Sequence, residues 1–129
     1  MSDAPKPCIG TIVWTDITVN DAEQLRDFYQ QVVGWQSSGV PVGDYEDYSM
    51  TSPETEEFSV GICHAKGPNQ GMPPQWLIYI LVQNLDNSIE ACKRMGGKVI
   101  AGPREVGADR FCVIQDPAGA VAGLYQKGS

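Results

Sequence analysis

Positive charge is scarce in this chain: 9 Lys and Arg residues stand against 16 Asp and Glu in 129 residues, a net charge of -7. A surface of that sign repels phosphate backbones and anionic lipid, so neither nucleic acid nor a membrane is expected as a partner. Long apolar runs are missing too. The longest, WLIYILV from Trp76 to Val82, falls far short of the about 20 residues that a membrane-crossing helix needs. The first residues, MSDAPKPC, put an acid and prolines where a secretory signal carries basic residues and then an apolar stretch. A cytoplasmic location is the expectation. Cys8, Cys63, Cys92 and Cys112 contain no CxxC pair, which removes the common zinc and dithiol-exchange motifs. Three of them read as small core residues and Cys8 as part of a terminal arm. Histidine occurs once. His64 closes a strand-like segment beside a Gly/Pro-rich connection, where an exposed or structural role is expected.

What is present alternates. In IGTIVWTDITV, Ile9 to Val19, the residues Val13, Ile17 and Val19 share one parity and Trp14, Asp16 and Thr18 the other, the pattern of a strand with two unlike faces. Asn20 or Asp21 can then cap a helix in which Ala22, Leu25, Phe28, Tyr29, Val32 and Val33 recur at helical spacing until Gly34. Three short strand-like segments follow, WQSSGV, YEDYSMTS and EFSVGICH, separated by Pro41, Gly43 and Ser52-Pro53. The acidic stretch from Gly43 to Glu57 reads as a solvated hairpin.

Residues 65–75, AKGPNQGMPPQ, carry no periodic apolar positions and read as a connection. Beyond it the order repeats: a strand at 76–82, a helix capped by Asn84 and stopped at Gly96 and Gly97, then KVIAGPREV, DRFCVIQ and AVAGLYQ. Val19 and Val82, Asp21 and Asn84, and Gly34 and Gly97 are each 63 positions apart. A near-constant offset with the same element order is the mark of an internal duplication. The predicted architecture is therefore α+β, a single domain over 1–129 made of two βαβββ modules, about 9–64 and 76–126. In each module one helix covers one face of a four-stranded sheet, over Ile17 and Val19 or over Ile80 and Val82. The other faces carry Trp14, Asp16, Leu77 and Tyr79, and two such twisted sheets are expected to curve into a mixed sheet around a trough suited to a small molecule.

The runs IVWTDITVND, FYQQVVGW, WLIYILVQNLD, RMGGKVI and QDPAGAVAGLYQ resemble the vicinal oxygen chelate superfamily, which includes glyoxalases, extradiol dioxygenases, fosfomycin resistance proteins and bleomycin-binding proteins. The resemblance runs from about Ile9 to Gln126 and implies paired βαβββ modules and a homodimer. It also implies a divalent metal held by His, Glu or Gln from the first and last strands of each module. Counted from Asp21, Asn84 and Asp116, and carried back by the repeat, those positions are Trp14, Leu77, Gly123 and Gly61. None of the four can coordinate an ion. No metal and no cofactor is therefore expected, and a metal-dependent glyoxalase or dioxygenase is disfavoured. A register slip of two would bring Asp16 and His64 under suspicion as ligands.

The residues expected to bind a ligand are Trp14, Asp16, Tyr48, Met50, Tyr79, Phe111 and Tyr125. Trp14 offers a stacking plane or simply fills space. A carboxylate at Asp16, on an otherwise apolar face, reads as a general base, a partner for a ligand's cation, or a hydrogen-bonded structural acid. Three functions follow as expectations. The first is a metal-free protein binding a partly aromatic, neutral or cationic organic ligand. The second is a metal-independent isomerase, epimerase or lyase with Asp16 as its base. The third is a dimeric interaction protein with a closed trough.

Overall fold

The structure, a computed structural model, describes residues 7–128. The first six residues, on which part of the location reading rests, lie outside the described residues. Eight strands and two helices follow in the order β1 (Ile12–Val19), α1 (Ala22–Val32), β2 (Gln36–Val42), β3 (Tyr45–Thr51), β4 (Ser59–His64), β5 (Leu77–Val82), α2 (Leu85–Arg94), β6 (Lys98–Val106), β7 (Asp109–Gln115) and β8 (Val121–Gln126). A short 3-10 turn, Gly67–Asn69, interrupts the connection between the halves. The class is α+β, as the alternating patterns require. Among the described residues no helix is long and apolar enough to cross a membrane.

Two compact units can be distinguished, one comprising Thr15–Trp76 and the other Leu77 onward together with the residues up to Trp14. In the first, strands run in the order β2-β3-β4-β1. The β1/β4 pair is parallel, with Ile17 beside Ile62, and the other two pairs are antiparallel. Asp21 accepts a hydrogen bond from the Gln24 amide (3.0 Å) and so caps α1. At the other end Gly34, at φ +86°, takes the left-handed turn that lets its amide reach the Gln30 carbonyl (3.1 Å). The helix buries its own Ala22 over Ile17, Tyr48, Met50, Val60 and Ile62, with Val19, Leu25, Tyr29, Trp35 and Trp76 packed around them. Trp76 donates its indole N–H to the Tyr29 hydroxyl (3.1 Å), which closes the polar end of this cluster.

The second unit repeats the plan in the order β5-β8-β7-β6, with β5/β8 parallel and the remaining pairs antiparallel. Asn84 caps α2 by accepting from the Asn87 amide (2.9 Å), and the Gln126 side chain on β8 accepts from Leu85 N–H (2.6 Å). Leu85 and Ile89 of α2 form a core with Cys112 and Leu124, joined by Ile80, Val82, Val99 and Ile114. Burial pushes the Cys112 thiol up to about 11, with Cys92 nearby adding to the effect, so this cysteine is an inert core residue at neutral pH. Just ahead of β1, Gly10 and Thr11 bond to Leu81 of β5 through backbone groups at 2.8 Å.

Candidate functional site

In each unit the strands have one face under the helix and one face free of it, and the register decides which side chains share the latter. In the first unit Asp16 stands beside Gly61 and Thr18 beside Cys63, while Ser49 lies opposite Gly61 from β3. Alternation puts Asp47 on the same face. Burial holds the Cys63 thiol well above its ordinary value, and the charges of Asp16 and Asp47 push it further the same way. It is therefore a neutral hydrogen-bond donor and not a nucleophile. Asp47 also accepts from the His64 amide (2.8 Å), and its carboxylate lies 3.3 Å from His64 Nδ1. The imidazole sits edge-on to Tyr45, ring centres 5.4 Å apart, and tilted to Tyr48 at 5.9 Å. His64 is thus fixed at the strand end by Asp47 and two tyrosines.

Tyr48 and Met50 do not lie where the sequence reading placed them. Their register partners are Ile62 and Val60, which belong to the core under α1, so both point to the helix side. The Arg26 guanidinium of α1 lies 4.8 Å from the centre of the Tyr48 ring. The acidic stretch around them is likewise not a solvated hairpin throughout, because Tyr48 and Met50 are buried and Asp47 is half-buried.

In the second unit the helix-free face is aromatic. Leu77, Tyr79 and Leu81 come from β5, Gly123 and Tyr125 from β8, and Phe111 and Val113 from β7. Tyr79 lies beside Gly123 and its ring covers the space a side chain there would take; a methyl group would collide with ring carbons Cδ2 and Cε2. The ring then meets Phe111 edge-on at 6.1 Å. Leu77, Tyr79, Leu81 and Val113 are each at most 6% exposed, whereas Phe111 and Tyr125 are half-buried. The accessible aromatic surface is therefore Phe111 and Tyr125, with Tyr79 as support behind them. Trp14 is half-buried.

The Tyr125 hydroxyl donates to Asp109 Oδ2 at 2.5 Å, and the other oxygen of that carboxylate accepts from Gly128 N–H at 2.7 Å. Burial, reinforced by the Asp109 acceptor, pushes the Tyr125 phenol up to about 12. The Gly128 amide first, and then Tyr125, hold Asp109 below the usual carboxylate range. Tyr125 is thus fixed in orientation as a neutral phenol.

One residue of this face escaped the sequence reading. Arg104 of β6 is paired with Phe111, and its guanidinium lies 5.8 Å from the centre of that ring. The pairing is irregular: Ala101 faces Val113 and Arg104 faces Phe111, so β6 advances three residues where β7 advances two. A bulge of this kind re-aims the side chains beyond it. Gly102 and Pro103 sit inside the irregularity, and a Gly-Pro pair hides strand parity from inspection.

The donor set does not suit the metal that the superfamily resemblance implies. The counted positions hold an indole, an isobutyl group and two glycines, and the register pairs Asp16 with Gly61 and Tyr79 with Gly123. Neither pair has two side chains able to coordinate. Among the described residues no group of three or more His, Cys, Asp or Glu side chains is arranged to hold an ion.

A two-module α+β fold with these faces defines a class, and comparison names it. The family description for the Glyoxalase/Bleomycin resistance protein/Dioxygenase superfamily matches residues 11–122, and the chain belongs to that superfamily. Among its relatives is CFP32 of Mycobacterium tuberculosis, provisionally named a glyoxylase, 34% identical over 119 residues that make up 91% of this chain and 46% of that one. The anthracycline biosynthesis protein DnrV of Streptomyces peucetius is 28% identical over 131 residues, 92% of this chain and 48% of its own. The chain spans about half the length of these curated relatives. A solved structure with the same fold, methylmalonyl-CoA epimerase of Streptomyces coelicolor, superposes with a TM-score of 0.57 over 95% of this chain and 100% of that one, at 12% identity.

Proposed function

We propose that the protein binds a small, partly aromatic, neutral or cationic molecule on the helix-free face of its second unit without a metal ion. It would work as a homodimer in the cytoplasm. The observation that carries this reading is the replacement of coordinating side chains by an aromatic surface: Tyr79 fills the place above Gly123 and backs Phe111. Stacking on such rings supplies affinity that needs no ion. The net charge of -7 favours a ligand without net negative charge. The kinship with a protein named for anthracycline biosynthesis points the same way, since anthracyclines contain a planar aromatic ring system.

The test is a thermal-shift screen of aromatic neutral and cationic compounds against protein treated with EDTA. At least one should raise the melting temperature, in proportion to the logarithm of its concentration once saturating. No shift across a broad set would remove the reading.

A second reading has its own observation. Asp16 is half-buried and close enough to Cys63 for its charge to be felt by the thiol, which suits a carboxylate that moves a proton in a metal-independent isomerisation, epimerisation or elimination. If so, Asp16→Asn abolishes turnover and leaves ligand affinity nearly unchanged. A loss confined to affinity would return Asp16 to the binding role.

A further inference from the structure

Arg104 is the cation that the β6 irregularity brings against the accessible aromatic surface of the second unit. Its register partner Phe111 is in turn paired with Tyr125, so a guanidinium, a phenyl and a phenol lie in one row across β6, β7 and β8. The guanidinium is half-buried and lies 5.8 Å from the Phe111 ring centre, within reach of the ring's electron-rich face. Tyr125 is committed to Asp109, so its hydroxyl proton is already engaged within the protein. A planar ligand seated against Phe111 would meet a rigid phenol on the β8 side and the Arg104 guanidinium on the β6 side. Guanidinium offers donors only and no acceptor. A ligand edge placed there gains if it carries oxygen lone pairs and loses if it carries N–H groups.

We propose that Arg104, seated against Phe111, selects among planar ligands of this face for those bearing an oxygen acceptor on the edge toward β6, such as a ring carbonyl or a phenol oxygen. The inference rests on the reading that the helix-free face binds a partly aromatic molecule and adds the chemistry of one of its edges. It is compatible with a neutral ligand, because a carbonyl oxygen accepts from guanidinium without carrying net charge.

The experiment uses two naphthalene probes titrated by fluorescence into the full chain. One is hydroxyacetonaphthone, with a carbonyl and a phenol oxygen on one edge; the other is methylnaphthalene, with no acceptor. Arg104→Gln should weaken the first by about tenfold, the range of one charge-assisted hydrogen bond, and change the second by less than twofold. Arg104→Lys keeps the charge but loses the planar array, and should fall between wild type and Arg104→Gln for the first probe. Phe111→Leu should weaken both probes. Equal binding of hydroxyacetonaphthone to wild type and Arg104→Gln overturns the role of Arg104 while leaving the binding reading intact. A parallel loss of both probes overturns it as well, by making Arg104 a support for the fold. Failure of both probes to bind the wild type overturns the inference, and the broader thermal-shift screen then decides the reading beneath it.

Discussion

At the scale of single residues, Gly123 and Tyr125 carry the sharpest consequences. Gly123 has no side chain because the Tyr79 ring occupies that space, so Gly123→Ala should cost about 1–3 kcal/mol of stability, the usual range for overpacking a filled site. Chemical denaturation of Gly123→Ala and of the double variant with Tyr79→Leu measures it; the double variant should recover part of the loss, since the nearest atoms that the methyl group would meet belong to that ring. Tyr125 makes a prediction about pH. Its folded pKa is raised to about 12, so its contribution to stability is complete below the ordinary tyrosine value near 10 and is lost as pH rises from there through 12. The near-ultraviolet phenolate absorbance should show one late-titrating tyrosine that Tyr125→Phe removes. Asp109 has the opposite sign: its lowered pKa gives stability that is present above about pH 4 and lost as pH falls below it. Single residues were also the least legible in the sequence. Tyr79 and Tyr125 share the parity of Leu77 and Gly123 and are found on the expected face. For Tyr48 and Met50 parity alone had two answers, and only their pairing with Ile62 and Val60 decides between them.

At the scale of elements, sequence and structure agree closely, for physical reasons that recur in both halves. Each helix starts where an Asx side chain can take a free amide: Asp21 accepts from Gln24 and Asn84 from Asn87. Each is preceded by a strand whose alternate residues pack under it, Ile17 and Val19 in one unit and Ile80 and Val82 in the other. Caps and alternation are local, so they can be read without knowing the fold. The β6 strand is the counter-example. Its irregular pairing with β7 is a property of two strands together, and nothing within KVIAGPREV shows that Arg104 will face Phe111. Replacing a cap tests the helical account. Asp21→Ala and Asn84→Ala should each lower stability by about 1 kcal/mol, read from the midpoint of urea unfolding at unchanged slope. Gln126 adds a tie of its own, because its side chain takes the amide of the buried Leu85. Gln126→Leu leaves that donor without its acceptor and should cost at least as much as loss of the Asn84 cap.

At the scale of the whole molecule, the chain belongs to the Glyoxalase/Bleomycin resistance protein/Dioxygenase superfamily, yet the positions counted for metal ligands carry no coordinating side chain. That departure could be found by counting from the capping and turn residues, because the positions involved, Trp14, Gly61, Leu77 and Gly123, are fixed relative to Asp21, Asn84 and Asp116 along the chain. What counting could not supply was the row of Arg104, Phe111 and Tyr125, which exists only once three strands are paired. The central claim is that this surface binds an aromatic ligand without a metal. Its most direct test is a fluorescence titration of methylnaphthalene, which cannot chelate an ion, into EDTA-treated protein, repeated after adding zinc or magnesium. The account predicts saturable binding with the same dissociation constant in all three conditions; binding that develops only when a divalent ion is supplied would contradict it.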